Sequence, residues 1–190
     1  MNKEKALLFI YEGFAEYEIS AAISMLRDSH TVVTISVDKG AVVSEAGLTI
    51  IPDLTLNEAV LEDFELLIVP GGNLLPIENK PELYEWVRVF VSQSKAAAAI
   101  CSGAYVLARA GLLEGIPYTV SLTKNQRNFL GFFQEENYQY NSVVRYGNIL
   151  TAQGHAYVDF AIELKKMVSD ASAEAVDFYR GTRNKMMEEV

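Results

Sequence analysis

The sequence holds one cysteine, Cys101, and it stands where a run of small apolar residues (96–100) meets Ser102, Gly103 and Ala104. A strand that turns into a helix, with only small side chains after the cysteine, has the layout of a nucleophile elbow. Small neighbours allow the tight turn. The start of the following helix offers unpaired N–H groups and the positive end of its dipole, both of which favour a thiolate. The competing reading is a small buried hydrophobe at a strand end.

Glu18 is the second candidate. If a helix begins near Ala15, Glu18 shares a face with Ala22 and Met25, beside the apolar stripe, where an acid is out of place. A carboxyl there can point into a site at the end of the first strand, hold a proton and donate a hydrogen bond to the cysteine sulfur. It can also be an ordinary first-turn acid, solvated and favourable to the helix dipole. Pro70, Gly71, Gly72 and Asn73 follow an apolar run directly. Their backbone N–H groups can face a cavity and receive an oxyanion, or the segment can simply end a strand. No Gly-Lys-Ser/Thr comes after it, so it is not a phosphate-binding glycine loop.

His155 falls at a strand-to-helix junction on the same edge. A Cys101–His155 dyad would suit thiol hydrolysis, while the plainer reading is a histidine at a helix start. His30 opens the second strand and reads as structural. Glu12 and Glu16 read as exposed acids without a role, and residues 184–190 as a solvated tail.

The elements that must position these residues are read from hydrophobic periodicity. Residues 5–11 predict a strand, after which Ile19, Ala22, Ile23 and Leu26 recur at helical spacing. Residues 31–37 and 64–69 predict central strands covered on both faces, with a small hairpin over 42–51 between them. Residues 79–93 predict a helix with Asn79 as its cap, Pro81 in its first turn and Leu83, Trp86, Val87, Phe90 and Val91 on one stripe. Residues 96–100 predict a buried strand and 103–110 a helix. Gly147 and Asn148 signal a hairpin between strands over 140–145 and 148–152. Tyr157, Phe160, Ala161, Leu164 and Val168 mark another amphipathic helix, and 172–180 a last one.

Strand and helix alternate along one undivided domain spanning 1–190, so the expected fold class is α/β, a doubly wound, mostly parallel sheet with helices on both faces. Sites in such sheets form at the carboxyl ends of strands, here the loops at 12–18, 70–73, 101–104 and 153–156.

With 16 basic and 25 acidic residues the net charge is -9, a field that repels phosphate backbones and anionic membranes. Nucleic acid and membrane surfaces are therefore not expected partners. A single cysteine permits no internal disulfide, and His30 and His155 lie too far apart to suggest a metal site. A cytoplasmic setting is expected, since the first apolar run is stopped by Glu12 before it reaches the length of a signal peptide.

Taken together these segments resemble the DJ-1/PfpI superfamily, whose fold is flavodoxin-like and related to class I glutamine amidotransferases, over about residues 5–168. Gly13 to Glu18 look like its first-loop motif, Leu67 to Asn73 like its oxyanion loop, and Ala99 to Ala104 like its elbow. The resemblance implies that Cys101 is the reactive nucleophile, Glu18 its hydrogen-bonding acid, and the amides of Gly72 and Ser102 its oxyanion donors. Gly71, Asn73 and His155 would line the site.

Two departures narrow the chemistry. Ser102 occupies the place where peptidase members have a histidine, and Ser121 or a neighbour replaces a second one, which disfavours PfpI-like proteolysis. His155-Ala156-Tyr157 lacks the His-x-Glu pair of glutamine amidotransferases, and Gln153 stands where some relatives have an arginine that reads anions. The resemblance thus implies a cofactor-free, glyoxalase-type enzyme acting on a small reactive carbonyl, as a homodimer. The alternative is a redox-sensing or stress-protective protein in which Cys101 oxidises to sulfinic acid. A relative that has lost activity and serves as a binding domain is a third reading. The aromatic loop at 129–133 is expected either to join the dimer interface or to roof the site.

Overall fold

The apolar run near the start of the chain forms β1 (Glu4–Phe9) in a computed structural model that describes residues 3–182. The tail expected over 184–190 lies outside the described residues. After β1 come α1 (Tyr17–Leu26), β2 (His30–Ser36), the hairpin β3 (Val42–Val43) and β4 (Thr49–Ile50), and β5 (Leu54–Thr55). Next are β6 (Leu66–Val69), α2 (Leu75–Glu78), α3 (Pro81–Ser92), β7 (Ala96–Ile100) and α4 (Ala104–Arg109). The chain continues through α5 (Lys124–Leu130), β8 (Val143–Tyr146), β9 (Ile149–Ala152), α6 (Tyr157–Val168) and α7 (Ala173–Arg180).

Seven strands form one sheet in the order β5-β2-β1-β6-β7-β9-β8, parallel except for the β8–β9 hairpin. The order of its five longer parallel strands, β2-β1-β6-β7-β9, is that of a flavodoxin-like doubly wound sheet. Winding reverses between β1 and β6, so the loops leaving these two strands diverge and open a crevice at their carboxyl ends. All four residues of β6 and the last four of β7 are buried, as strands covered on both faces must be. α1 packs on α6, and α3 on α4.

Sequence and structure part in a few places. Lys80, not Asn79, caps α3, without a side-chain hydrogen bond, and Asn79 ends the short α2 instead. Pro81 explains the boundary, because the residue before a proline is kept out of the helical region and Lys80 sits at φ -120° and ψ 71°. α2 and the two-residue β5 are too short to leave a periodic signal. Glu12 and Glu16 do have a task. Glu12 Oε2 accepts from the Val43 amide at 2.9 Å and Glu16 Oε2 from the Ala46 amide at 3.4 Å, holding the β3–β4 hairpin against the loop after β1.

His30 is buried at the opposite end of the sheet, with Ser29 Oγ 2.8 Å from its Nδ1 and Glu65 paired to its Nε2. No helix among the described residues is long and apolar enough to cross a membrane.

Candidate active site

Three loops at the carboxyl edge are locked to one another before any catalytic side chain is considered. The Ala15 amide donates to Gly71 O at 2.9 Å and the Asn73 amide to Gly13 O at 3.0 Å, joining the loops after β1 and β6. Gly72, at φ 129°, makes this possible, since a β-carbon there would lie 2.2 Å from Gly13 O. The loop after β7 is pressed as closely on the end of β6, where a β-carbon on Gly103 would stand 2.4 Å from Pro70 O. Ser102 ties the two together: its Oγ accepts from the Gly72 amide and donates to Gly72 O, both at 3.0 Å.

Between β7 and α4 the chain makes a 3₁₀ turn over Cys101–Gly103. Cys101 takes φ 58°, in the left-handed region that costs a side-chain-bearing residue on the order of 1–2 kcal/mol. The neighbouring strand and the Ser102 clamp hold it there, with the thiol partly accessible.

Glu18, in the first turn of α1, is 1% exposed, so the solvated reading of this acid does not hold. Its Oε2 accepts from the Gly71 amide at 2.8 Å and its Oε1 from the Tyr17 hydroxyl at 3.4 Å, and the Cys101 side chain lies beside it. Two glycines hem in the pair. A β-carbon on Gly71 would stand 2.6 Å from Cys101 Cβ and 2.7 Å from Glu18 Oε2. One on Gly154 would stand 2.8 Å from Glu18 Oε1 and 2.9 Å from Cys101 Sγ.

Burial raises the Glu18 carboxyl above its ordinary range, against the hydrogen bonds from Cys101, Gly71 and Tyr17 that lower it. Burial also pushes the Cys101 thiol up, helped by the charge and the hydrogen bond of Glu18, to about 12. The Ser102 amide and the Ser121 hydroxyl pull it the other way. Double ionisation of the pair is thus disfavoured from both sides. This differs from a cysteine made a thiolate by its helix alone. α4 begins only at Ala104 and has six residues, and its dipole is outweighed by burial and by Glu18.

The pair opens into a cleft of about 390 Å³, lined among others by Tyr17, Glu45, Asn73, Ser102 and Ser121. Gly72 lines it as well, but its amide is occupied by the Ser102 hydroxyl, which an arriving oxyanion must displace. Gly71 lies beneath the pair with its amide on Glu18. His155 is exposed and is not among the residues lining the cleft, nor is any residue of the 129–133 loop. In that loop Phe132 lies edge-on to Tyr105, 6.0 Å between ring centroids, and Phe133 packs near Tyr118 at 5.5 Å.

Two further residues, Gly154 and Ser121, take part in the site. Gly154 has a legible signal, a glycine two residues after the end of β9 at the carboxyl edge. Ser121 has none beyond its place in the family pattern, because the segment that carries it has no periodicity.

The family model described as the DJ-1/PfpI family matches residues 4–167. An uncharacterized protease of Bacillus subtilis, YoaZ, is 27% identical over 180 residues, covering 87% of this chain and 84% of its own. The deglycase PfpI of Pyrococcus furiosus is 28% identical over 113 residues, covering 58% of this chain and 68% of its own. Among solved structures, a DJ-1 superfamily protein of Agrobacterium tumefaciens superposes with a TM-score of 0.85 at 23% identity, covering 98% of this chain and 100% of its own. A thiJ/pfpI family protein of Bacillus anthracis superposes with a TM-score of 0.79 at 25% identity, covering 99% and 94%.

Proposed function

The chain belongs to the DJ-1/PfpI family, and from that premise we propose that it is a cysteine enzyme acting on small reactive carbonyls through Cys101 and Glu18. The observation that carries this reading is the buried carboxyl of Glu18 set beside the Cys101 thiol, both packed against Gly71 and Gly154. A thiol that must give up its proton at the moment of attack needs a base in contact, and Glu18 is that base.

With a 2-oxoaldehyde such as methylglyoxal, sulfur adds to the aldehyde carbon while its proton passes through Glu18 to the carbonyl oxygen, giving a hemithioacetal. The developing oxyanion is met by the Ser102 amide, joined by the Gly72 amide as the Ser102 hydroxyl turns away. Glu18 then removes the proton from the former aldehyde carbon and returns a proton to the adjacent carbon, which isomerises the adduct to a 2-hydroxy thioester. Water cleaves the thioester, releasing the 2-hydroxy acid and restoring the thiol. The balance is the addition of one water, without oxidant or reductant. The deglycase name of a relative fits a carbonyl-derived substrate. Peptide hydrolysis through a Cys–His pair lacks support, with Ser102 after the cysteine and His155 outside the cleft.

Methylglyoxal consumption by the wild type, Cys101→Ser and Glu18→Gln tests the proposal. Loss in both variants is expected, and equal rates in all three eliminate it. The closeness of Glu18 to Cys101 favours a second reading too, in which peroxide oxidises Cys101 to a sulfinate that accepts the Glu18 proton. Intact mass after graded peroxide distinguishes it, because a Cys101 that gains no oxygen excludes it.

A further inference from the structure

We propose that Ser121 is a third catalytic residue of this site, its hydroxyl turning from Gln153 to the sulfur of Cys101 when sulfur becomes charged, and that Gln153 positions it. The proposal rests on the reading of Cys101 as a nucleophile, but not on any particular substrate.

Ser121 lines the cleft, and its Oγ is tied down from two sides. It accepts from the Gly154 amide at 2.8 Å and donates to Gln153 Oε1 at 2.8 Å. Gln153 is 5% exposed, and its orientation is unambiguous. Its Nε2 donates to Val120 O at 3.1 Å, an acceptor only, and to Thr119 Oγ1 at 2.7 Å, so its Oε1 must face Ser121.

A hydroxyl has one proton to give. Ser121 has two candidate acceptors, the amide oxygen of Gln153, which now takes its proton, and the sulfur of Cys101, which lines the same cleft and lies against Gly154, whose amide anchors the Ser121 oxygen. Beside a neutral thiol the bond to Gln153 is the better one, and it keeps the oxygen in place. Once the thiol proton has moved to Glu18, the charged sulfur is the stronger acceptor, since a hydrogen bond to an ion is roughly twice as strong as one between neutral groups. The Gly154 amide keeps the oxygen anchored during the rotation, so the switch needs no movement of the backbone. Glu18 takes the proton on one side of the sulfur, and Ser121 stabilises the charge left behind. Gln153, which is not among the residues lining the cleft, sets the starting position.

The test is the pH profile of Cys101 alkylation by iodoacetamide in the wild type, Ser121→Ala, Ser121→Thr and Ser121→Val. Ser121→Ala is expected to slow alkylation about tenfold at a fixed pH below the midpoint and to move the midpoint upward. Ser121→Thr, which keeps the hydroxyl, is expected to follow the wild type, and its isostere Ser121→Val to follow Ser121→Ala. The Thr/Val pair keeps the comparison valid if the alanine variant folds poorly, because the two differ in the hydroxyl and not in shape. Coincident profiles for Thr and Val, or for Ala and wild type, overturn the proposal. Alkylation reports on Ser121 even if methylglyoxal is not consumed, so failure of the proposed substrate class and failure of this inference are read separately.

Discussion

A β-carbon on Gly154 would stand 2.9 Å from the sulfur of Cys101. Gly154 is not in the left-handed region, so its backbone can carry a side chain and only the missing space forbids one. Gly154→Ala is therefore expected to keep its fold while pushing apart Cys101 and Glu18, whose Oε1 lies as close on the same side. Misplacement of reacting groups by about 1 Å costs on the order of a hundredfold in rate. Gly147→Asn supplies the control, since Gly147 has φ 57° but nothing near a β-carbon, and asparagine tolerates that conformation. Methylglyoxal turnover together with far-UV circular dichroism checks both. A fully active Gly154→Ala would show that the pair is not sterically confined.

Glu18→Gln should move the Cys101 alkylation midpoint to lower pH. Burial is the first cause of the raised thiol and persists in the variant, but the next two, the charge of Glu18 and its acceptance of the S–H proton, disappear. The Ser102 amide and Ser121 hydroxyl, which favour the thiolate, remain. A shift of one pH unit makes the thiolate about tenfold more abundant below the midpoint. The same variant is expected to lose turnover, so that more thiolate with less catalysis marks Glu18 as the proton carrier. A midpoint that stays or rises would mean that the carboxyl already holds the proton in the resting enzyme.

Much of this was legible in the residues themselves. Leu66–Val69 and Ala96–Ile100 announce buried parallel strands by lacking polar positions, and Cys101 at the end of an alanine run announces the elbow by the small side chains of Ser102, Gly103 and Ala104. Glu18 was visible as an acid beside an apolar stripe. Contacts between distant segments were not. The direction in which the thiol titrates depends on burial beneath the loops after β6 and β9, and no local pattern carries that. The occupation of the Gly72 amide by Ser102 is likewise a meeting of residues 30 positions apart. The role of Gly154 depends on a gap of one carbon atom, which becomes measurable only when β9 lies beside β7.

Stability should report on the same carboxyl. The Glu18 carboxyl is raised in the folded protein, first by burial, so the folded state binds its proton more tightly than the unfolded chain does. Its contribution is fully present below the unfolded value, about 4.3, and is lost as pH rises through the folded one. Glu18→Gln cannot titrate and escapes that loss. Its urea midpoint relative to wild type is expected to improve between pH 4 and pH 8, and a tenfold difference in proton affinity corresponds to about 1.4 kcal/mol. A difference independent of pH would show that the carboxyl titrates alike in the folded and unfolded chains.

The cleft should also discriminate by charge. Among the described residues Glu18 and Glu45 are its two ionisable carboxyls and no lysine or arginine lines it, and Gln153 beside it is neutral. The chain as a whole carries a net charge of -9. A cationic methanethiosulfonate should therefore modify Cys101 faster than an anionic one of similar size, by about tenfold at low salt after each rate is divided by that with a free thiol. The ratio should fall as salt rises, because the Debye length shortens from about 30 Å at 0.01 M to about 10 Å at 0.1 M. Glu45 is exposed at the cleft, so Glu45→Gln should reduce the ratio, and dividing both rates by that with neutral iodoacetamide removes the effect of its charge on Glu18 and the thiol. If the anionic reagent keeps pace at every salt concentration, the carboxylates do not select what reaches the sulfur. If the ratio is high but Glu45→Gln does not alter it, the selection comes from the overall field and not from the cleft wall.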